Sequence, residues 1–88
     1  MLLDKHNKII GISRDDWKKI FSDRLINFLK ERNMHQSDLA KASGLSRSRI
    51  NDYISMKSVP TIFASINMAY ALDITVEELI GCDSLVHD

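Results

Sequence analysis

The sequence predicts an all-α, single-domain chain of five helices, and three observations carry that prediction. Apolar residues recur at steps of three and four, the period of a helix with one buried face. Capping residues punctuate the chain, with Ser13, Ser46 and Thr75 as starts and Gly44 and Gly81 as stops. Finally, 88 residues hold only three Gly and one Pro, too few for an all-β chain built on tight turns. The apolar share of 44% is enough for a packed core and excludes wholesale disorder.

Residues 1–12 read as an N-terminal leader or arm. Ile9, Ile10 and Ile12 make either a short strand or a packed arm, and the apolar run is too brief for its period to decide. Ser13 is the expected N-cap of the first helix, with Asp15 and Asp16 in the first turn, where the helix dipole favours acids. Trp17, Ile20, Phe21, Leu25, Phe28 and Leu29 then mark its buried face, up to about Arg32, where Asn33 serves as a cap. His35 to Ser43 is a second, short helix stopped by Gly44. Ser46 caps a third helix running to about Ile54. After a loop from Ser55 to Pro60, Thr61 opens a fourth helix, with Ile62, Ile66, Ala69 and Leu72 expected on its inner stripe. Thr75 and Glu78 form a capping box for a fifth helix ending at Gly81. The domain is thus expected over residues 13–81, with a frayed tail over 82–88.

The chain is formally neutral, yet its charge is divided. All 12 basic residues lie in residues 1–57, against seven acids, whereas residues 58–88 hold five acids and no Lys or Arg. This asymmetry points to a basic surface that meets a polyanion. Cys82 is alone and His6, His35 and His87 are scattered, so no metal cage and no cofactor is expected. The start has neither the basic leader nor the apolar core of a signal peptide, and no apolar run approaches a membrane span. A reducing cytoplasm is the expected compartment.

The informative stretch runs from Gln36 to Ser55. Two short helices meet at Gly44, Leu45 and Ser46, with Ala40 small enough for a close crossing. Leu39, Leu45, Ile50 and Tyr53 or Ile54 lock the pair onto the core. A crossing of ~90–120° props the second helix outward, so that its N-terminal end enters a major groove while the first lies across the backbone. Arg47, Ser48, Arg49, Asn51 and Asp52 lie at its start and along its outer face. Arg47 suits a bidentate contact to guanine O6 and N7, Asn51 one to adenine N6 and N7, and Ser48 either base. Gln36 and Ser46 sit at helix starts, where backbone N–H groups bind phosphate, and Lys57 suits a phosphate on the flank. Asp52 repels phosphate but accepts from cytosine N4.

Here the chain resembles the helix-turn-helix domain of the Cro and lambda-type phage repressors. The matching residues are Arg24, Leu25, Gln36, Leu39, Ala40, Ser43, Gly44, Leu45, Ser46, Ile50, Tyr53, Pro60, Ala69, Leu72, Thr75, Glu78 and Leu79, spread over residues 21–80. The resemblance implies a compact five-helix domain, usually acting as a DNA-bound dimer, in which the positions of Gln36, Arg47, Ser48 and Asp52 commonly face DNA. The chain departs from the family in three places. The loop after the third helix holds Ile54, Ser55 and Met56 where the family usually has a sequence such as Glu-Asn-Gly, and losing the Gly predicts an altered loop. Phe63 and Tyr70 replace residues that are usually polar, and the leader is longer than usual.

Each feature also has a plainer reading. Arg47 and Arg49, taken alone, are solvated helix charges; placed after Gly44, Leu45 and Ser46 they favour DNA. Trp17, Phe21 and Phe28 are core by their helical spacing rather than a base-stacking platform. Tyr53 is a core edge whose hydroxyl reaches solvent or phosphate. His35 reads as a helix-cap substitute. Phe63 and Tyr70 share a helix face and are either a dimer patch or covered by the leader. No ordered nucleophile–base pairing can be read from the Ser and Asp spacing, so no enzyme is expected.

The expectation is a sequence-specific double-stranded DNA-binding regulator, a repressor of bacterial or phage origin working at the nucleoid. Because one recognition helix reads only a few base pairs, a homodimer on a palindromic operator is expected, with half-sites roughly 34 Å apart. No sensor or self-cleaving domain fits in the given length. The alternative is an antitoxin-type interaction module that binds a toxin partner and also regulates its own operon.

Overall fold

A computed structural model of the chain describes residues 12–81, together with the backbone pairing of two short strands before them. These strands, β1 (Leu2–Leu3) and β2 (Ile9–Ile10), pair antiparallel, with Leu2 opposite Ile10 and Leu3 opposite Ile9. Five helices follow: α1 (Arg14–Glu31), α2 (Gln36–Ser43), α3 (Arg47–Ile54), α4 (Ile62–Leu72) and α5 (Val76–Ile80). The five expected helices are therefore all present, and Ile9 and Ile10 take the strand reading. The tail expected over 82–88, with Cys82 and His87, lies outside the described residues, as does His6.

The helix starts form as their capping residues dictate. Ser13 Oγ accepts the Asp16 N–H at 3.1 Å, and Thr61 Oγ1 accepts the Ala64 N–H at 3.1 Å. Thr75 and Glu78 exchange bonds as a capping box. The stops share one backbone device. A residue with positive φ follows every helix: Asn33 (54°), Gly44 (75°), Met56 (65°), Asp73 (56°) and Gly81 (76°). After α1, α3 and α4 the two following N–H groups turn back onto the last turn, as in Asn33 to Lys30 O at 3.1 Å and Met34 to Leu29 O at 2.9 Å.

The core gathers one face from each helix. Phe21, Leu25 and Leu29 of α1 meet Leu39 of α2, Ile50 and Tyr53 of α3, Met68 and Leu72 of α4, and Leu79 of α5. Trp17 stacks on Phe21 at 5.2 Å between centroids, and Phe21 meets the Tyr53 ring edge-on at 6.2 Å. Phe21 is the buried member of the expected aromatic core, while Trp17 and Phe28 pack half-buried at its edge.

The inner stripe of α4 keeps Ala69 and Leu72 of the expected one but not Ile62 and Ile66. Ala64, Ser65, Met68, Ala69 and Leu72 are buried, whereas Ile62 and Ile66 face outward. The segment carries no charged residue, so no charge marks its solvent side and the apolar pattern alone misplaces part of the stripe. Small residues at 64 and 65 admit close packing there, and the Ser65 hydroxyl is satisfied by donating to Thr61 O at 3.0 Å.

Two arginines are structural. Arg24 Nε donates to Glu78 O at 2.8 Å, and Arg32 Nε donates to Leu72 O at 2.7 Å. Each caps carbonyls near the negative end of a helix, α5 and α4 respectively. Their guanidiniums lie 5.7 and 5.3 Å from the Phe28 ring centre. These two members of the basic half therefore hold α1 against α4 and α5.

Candidate nucleic-acid interface

The turn between α2 and α3 sets the geometry of the site. Gly44 takes a left-handed conformation, and its N–H returns to Ala40 O at 3.0 Å. A Cβ placed there would meet no heavy atom within 4 Å, so the backbone angle, not lack of space, requires glycine. Ser43 Oγ accepts the buried Leu45 N–H at 3.3 Å, and the Leu45 side chain enters the core. Ser46 Oγ then accepts the Arg49 N–H at 3.1 Å and starts α3.

Ile50 and Tyr53 bury one side of α3, which leaves Arg47, Ser48, Arg49 and Asn51 exposed on the other. The Tyr53 position is thus a core one, with 4% of the residue exposed. Arg47, Ser48 and Asn51 line a shallow depression together with Gln36 and His35 at the start of α2. Four of the expected contact residues, from two helices, are brought together there.

The other four lie elsewhere. Ser46 is exposed but its oxygen is engaged as the cap. Arg49 is exposed on α3 outside the depression, and Asp52 is half-buried. Lys57 is exposed in the following loop, held by its N–H to Asp52 O at 2.8 Å. In this loop, where the usual Gly is missing, Met56 takes the left-handed conformation. The Ser55 hydroxyl donates back onto α3, to Asn51 O at 2.8 Å.

His35 is the member of the depression that sequence reasoning treated only as a cap. It is the N-cap of α2, its backbone N–H donates to Asp38 Oδ2 at 2.9 Å, and it lines the depression with Gln36 and the α3 residues. The available signal was its position directly before Gln36.

The electrostatics suit an anion. α3 has no acid in its first turn, so the positive end of its dipole is not neutralised locally. Among the described residues, no carboxylate forms an ion pair with Lys41, Arg47, Arg49 or Lys57. Four cations are thus left with their charge directed to solvent around one helix and its flanks.

Comparison with known proteins accords with this geometry. The helix-turn-helix family matches residues 25–79, which include all of α2 and α3. The chain is 36% identical over 67 residues to an SPbeta prophage-derived HTH-type transcriptional regulator, YotL, of Bacillus subtilis (strain 168), covering 75% of this chain and 82% of that one. No solved structure gives a significant match. By its fold, its turn geometry and these matches, the chain belongs to the helix-turn-helix family of DNA-binding transcriptional regulators.

Proposed function

We infer that the chain is a repressor that binds a palindromic DNA operator as a homodimer, with the exposed face of α3 in the major groove. The observation that supports this most is the depression where Gln36, Arg47, Ser48 and Asn51 converge beside unpaired cations. Arg47 reads guanine, Asn51 reads adenine, and Gln36 fixes the register on the phosphate backbone. Arg49, Ser46 and Lys57 serve the flanking phosphates, and Asp52 faces the groove edge. The protein works in the cytoplasm; no described helix is long and apolar enough to cross a membrane.

The dimer reading rests on α4. Phe63 and Tyr70 are 67% and 82% exposed, and Ile62 and Ile66 join them as exposed large apolar residues. Placed at steps of three and four, Phe63, Ile66 and Tyr70 form one apolar stripe of the kind that meets a partner surface. A second copy of the chain is the partner we assign to it, because two recognition helices are needed to read an operator of useful length.

Selection of binding sites from a random DNA pool tests the reading. Enrichment of a two-fold symmetric site, with half-sites roughly 34 Å apart, is the expected outcome. Recovery of no preferred sequence would overturn it.

A further inference from the structure

We propose that a groove between the start of α1 and the loop before α4 is the docking site for this chain's own leader, residues 2–10. Among the described residues, the groove is lined by Ile12, Trp17, Val59 and Pro60, together with Ser13 and Arg14. The Ser13 oxygen is already engaged as the α1 cap, so the lining is mainly apolar. Its four apolar residues are each only half-buried. They form apolar surface that the core of the five helices does not cover, and such surface marks a contact.

Pairing, composition and tether make the leader the occupant. Strands β1 and β2 are two residues each, and a two-stranded ribbon is marginal in water unless it packs against a helix or further strands. All four paired positions are Leu or Ile. The register sets Leu2 and Ile10 on one face of the ribbon and Leu3 and Ile9 on the other, so either face is apolar. Only Gly11 separates β2 from Ile12, which itself lines the groove. Two residues of chain span at most about 7 Å, so the ribbon is held at the groove. A tether this short gives an effective concentration on the order of millimolar, far above that of a free second copy. Docking has a consequence for α3. Val59 and Pro60 close the loop that follows it, and Trp17 stacks on Phe21, which meets Tyr53 of α3. The seated leader ties the first turn of α1 to the loop that carries Met56 and Lys57, and leaves the α4 stripe to a partner.

Trp17 is the only tryptophan in the sequence, so its fluorescence reports on the groove. Emission and acrylamide quenching are measured on the full chain and on Ile9→Asp and Ile10→Asp, which place a charge on opposite faces of the ribbon. At least one variant should move Trp17 emission to longer wavelength and raise its quenching. The same variant should melt roughly 4–8 °C lower, with its helical circular dichroism unchanged at room temperature. In the unaltered chain, amides of β1 and β2 should exchange with solvent more slowly than those of an unstructured peptide, a readout that needs no variant. Dilution of the unaltered chain should leave Trp17 protected. Unchanged Trp17 fluorescence in both variants, or strand amides exchanging at the unstructured rate, would overturn the docking. Exposure of Trp17 on dilution would give the groove to a second copy and overturn the assignment to the chain's own leader.

Discussion

The Ser22 hydroxyl donates a hydrogen bond to the Ile54 carbonyl oxygen at 2.5 Å, joining the middle of α1 to the last turn of α3. That carbonyl is one of the terminal groups for which a helix has no partner of its own. Ser22 is 3% exposed, so water cannot readily take its place. Ser22→Ala should lower the unfolding free energy by about 1–3 kcal/mol. Urea unfolding should show a lower midpoint with an unchanged slope. A stability within error of the parent would mean that the Ile54 carbonyl finds another donor.

Met56 holds a φ of 65°, where a side chain costs about 1–2 kcal/mol relative to glycine. The conformation persists because the Met56 N–H to Tyr53 O bond and the Lys57 N–H to Asp52 O bond close the end of α3. Met56→Gly should therefore stabilise the chain by about 0.5–1 kcal/mol, the strain relieved exceeding the extra freedom that glycine brings to the unfolded chain. Met56→Val should act in the opposite sense, because a β-branched side chain suits this region least. Thermal melts of the pair check the signs. A destabilising Met56→Gly would show that packing of the half-exposed side chain outweighs the strain.

These two residues mark the boundary of what the sequence discloses. Helix starts and stops were legible because Ser13, Ser46, Thr61 and Thr75, with Gly44 and Gly81, act through bonds three or four residues away. The Ser22 bond spans 32 residues, and the Arg24 and Arg32 bonds span 54 and 40, so no local pattern announces them. Met56 is not a turn-forming residue by type, and only its backbone angle reveals the role. The orientation of α4 was hidden for a different reason. A largely apolar helix without charges has no charged face to read, and the neighbours it packs against fix its rotation. In the candidate site the α3 residues were legible from the turn before them. That His35 joins them follows from how α2 crosses α3, which is a tertiary fact.

The division between structural and contact arginines can be tested directly. Arg47→Ala should cost about 1–3 kcal/mol of binding on the preferred operator and little on random DNA. An equal loss on both would limit Arg47 to phosphate. Arg32→Ala should instead leave the salt dependence of binding unchanged and lower stability, since its guanidinium serves the Leu72 carbonyl and the Phe28 ring. A reduced salt slope for Arg32→Ala would place that residue against DNA after all.

The α4 stripe makes a prediction about assembly that separates it from the core. Because Phe63 is 67% exposed and Ile66 lies outside the buried stripe, charge at either position should leave the monomer folded. Phe63→Glu and Ile66→Glu should shift the sedimentation of a dimer toward that of a monomer, since two like charges then face each other across a two-fold axis. Binding to a symmetric operator should fall with it, while binding to an isolated half-site should change little, because α3 and its depression are untouched. Met68→Glu serves as the contrast: Met68 is fully buried on the same helix, so its replacement should unfold the chain rather than divide it. Sedimentation unchanged in both surface variants would move the dimer interface off α4.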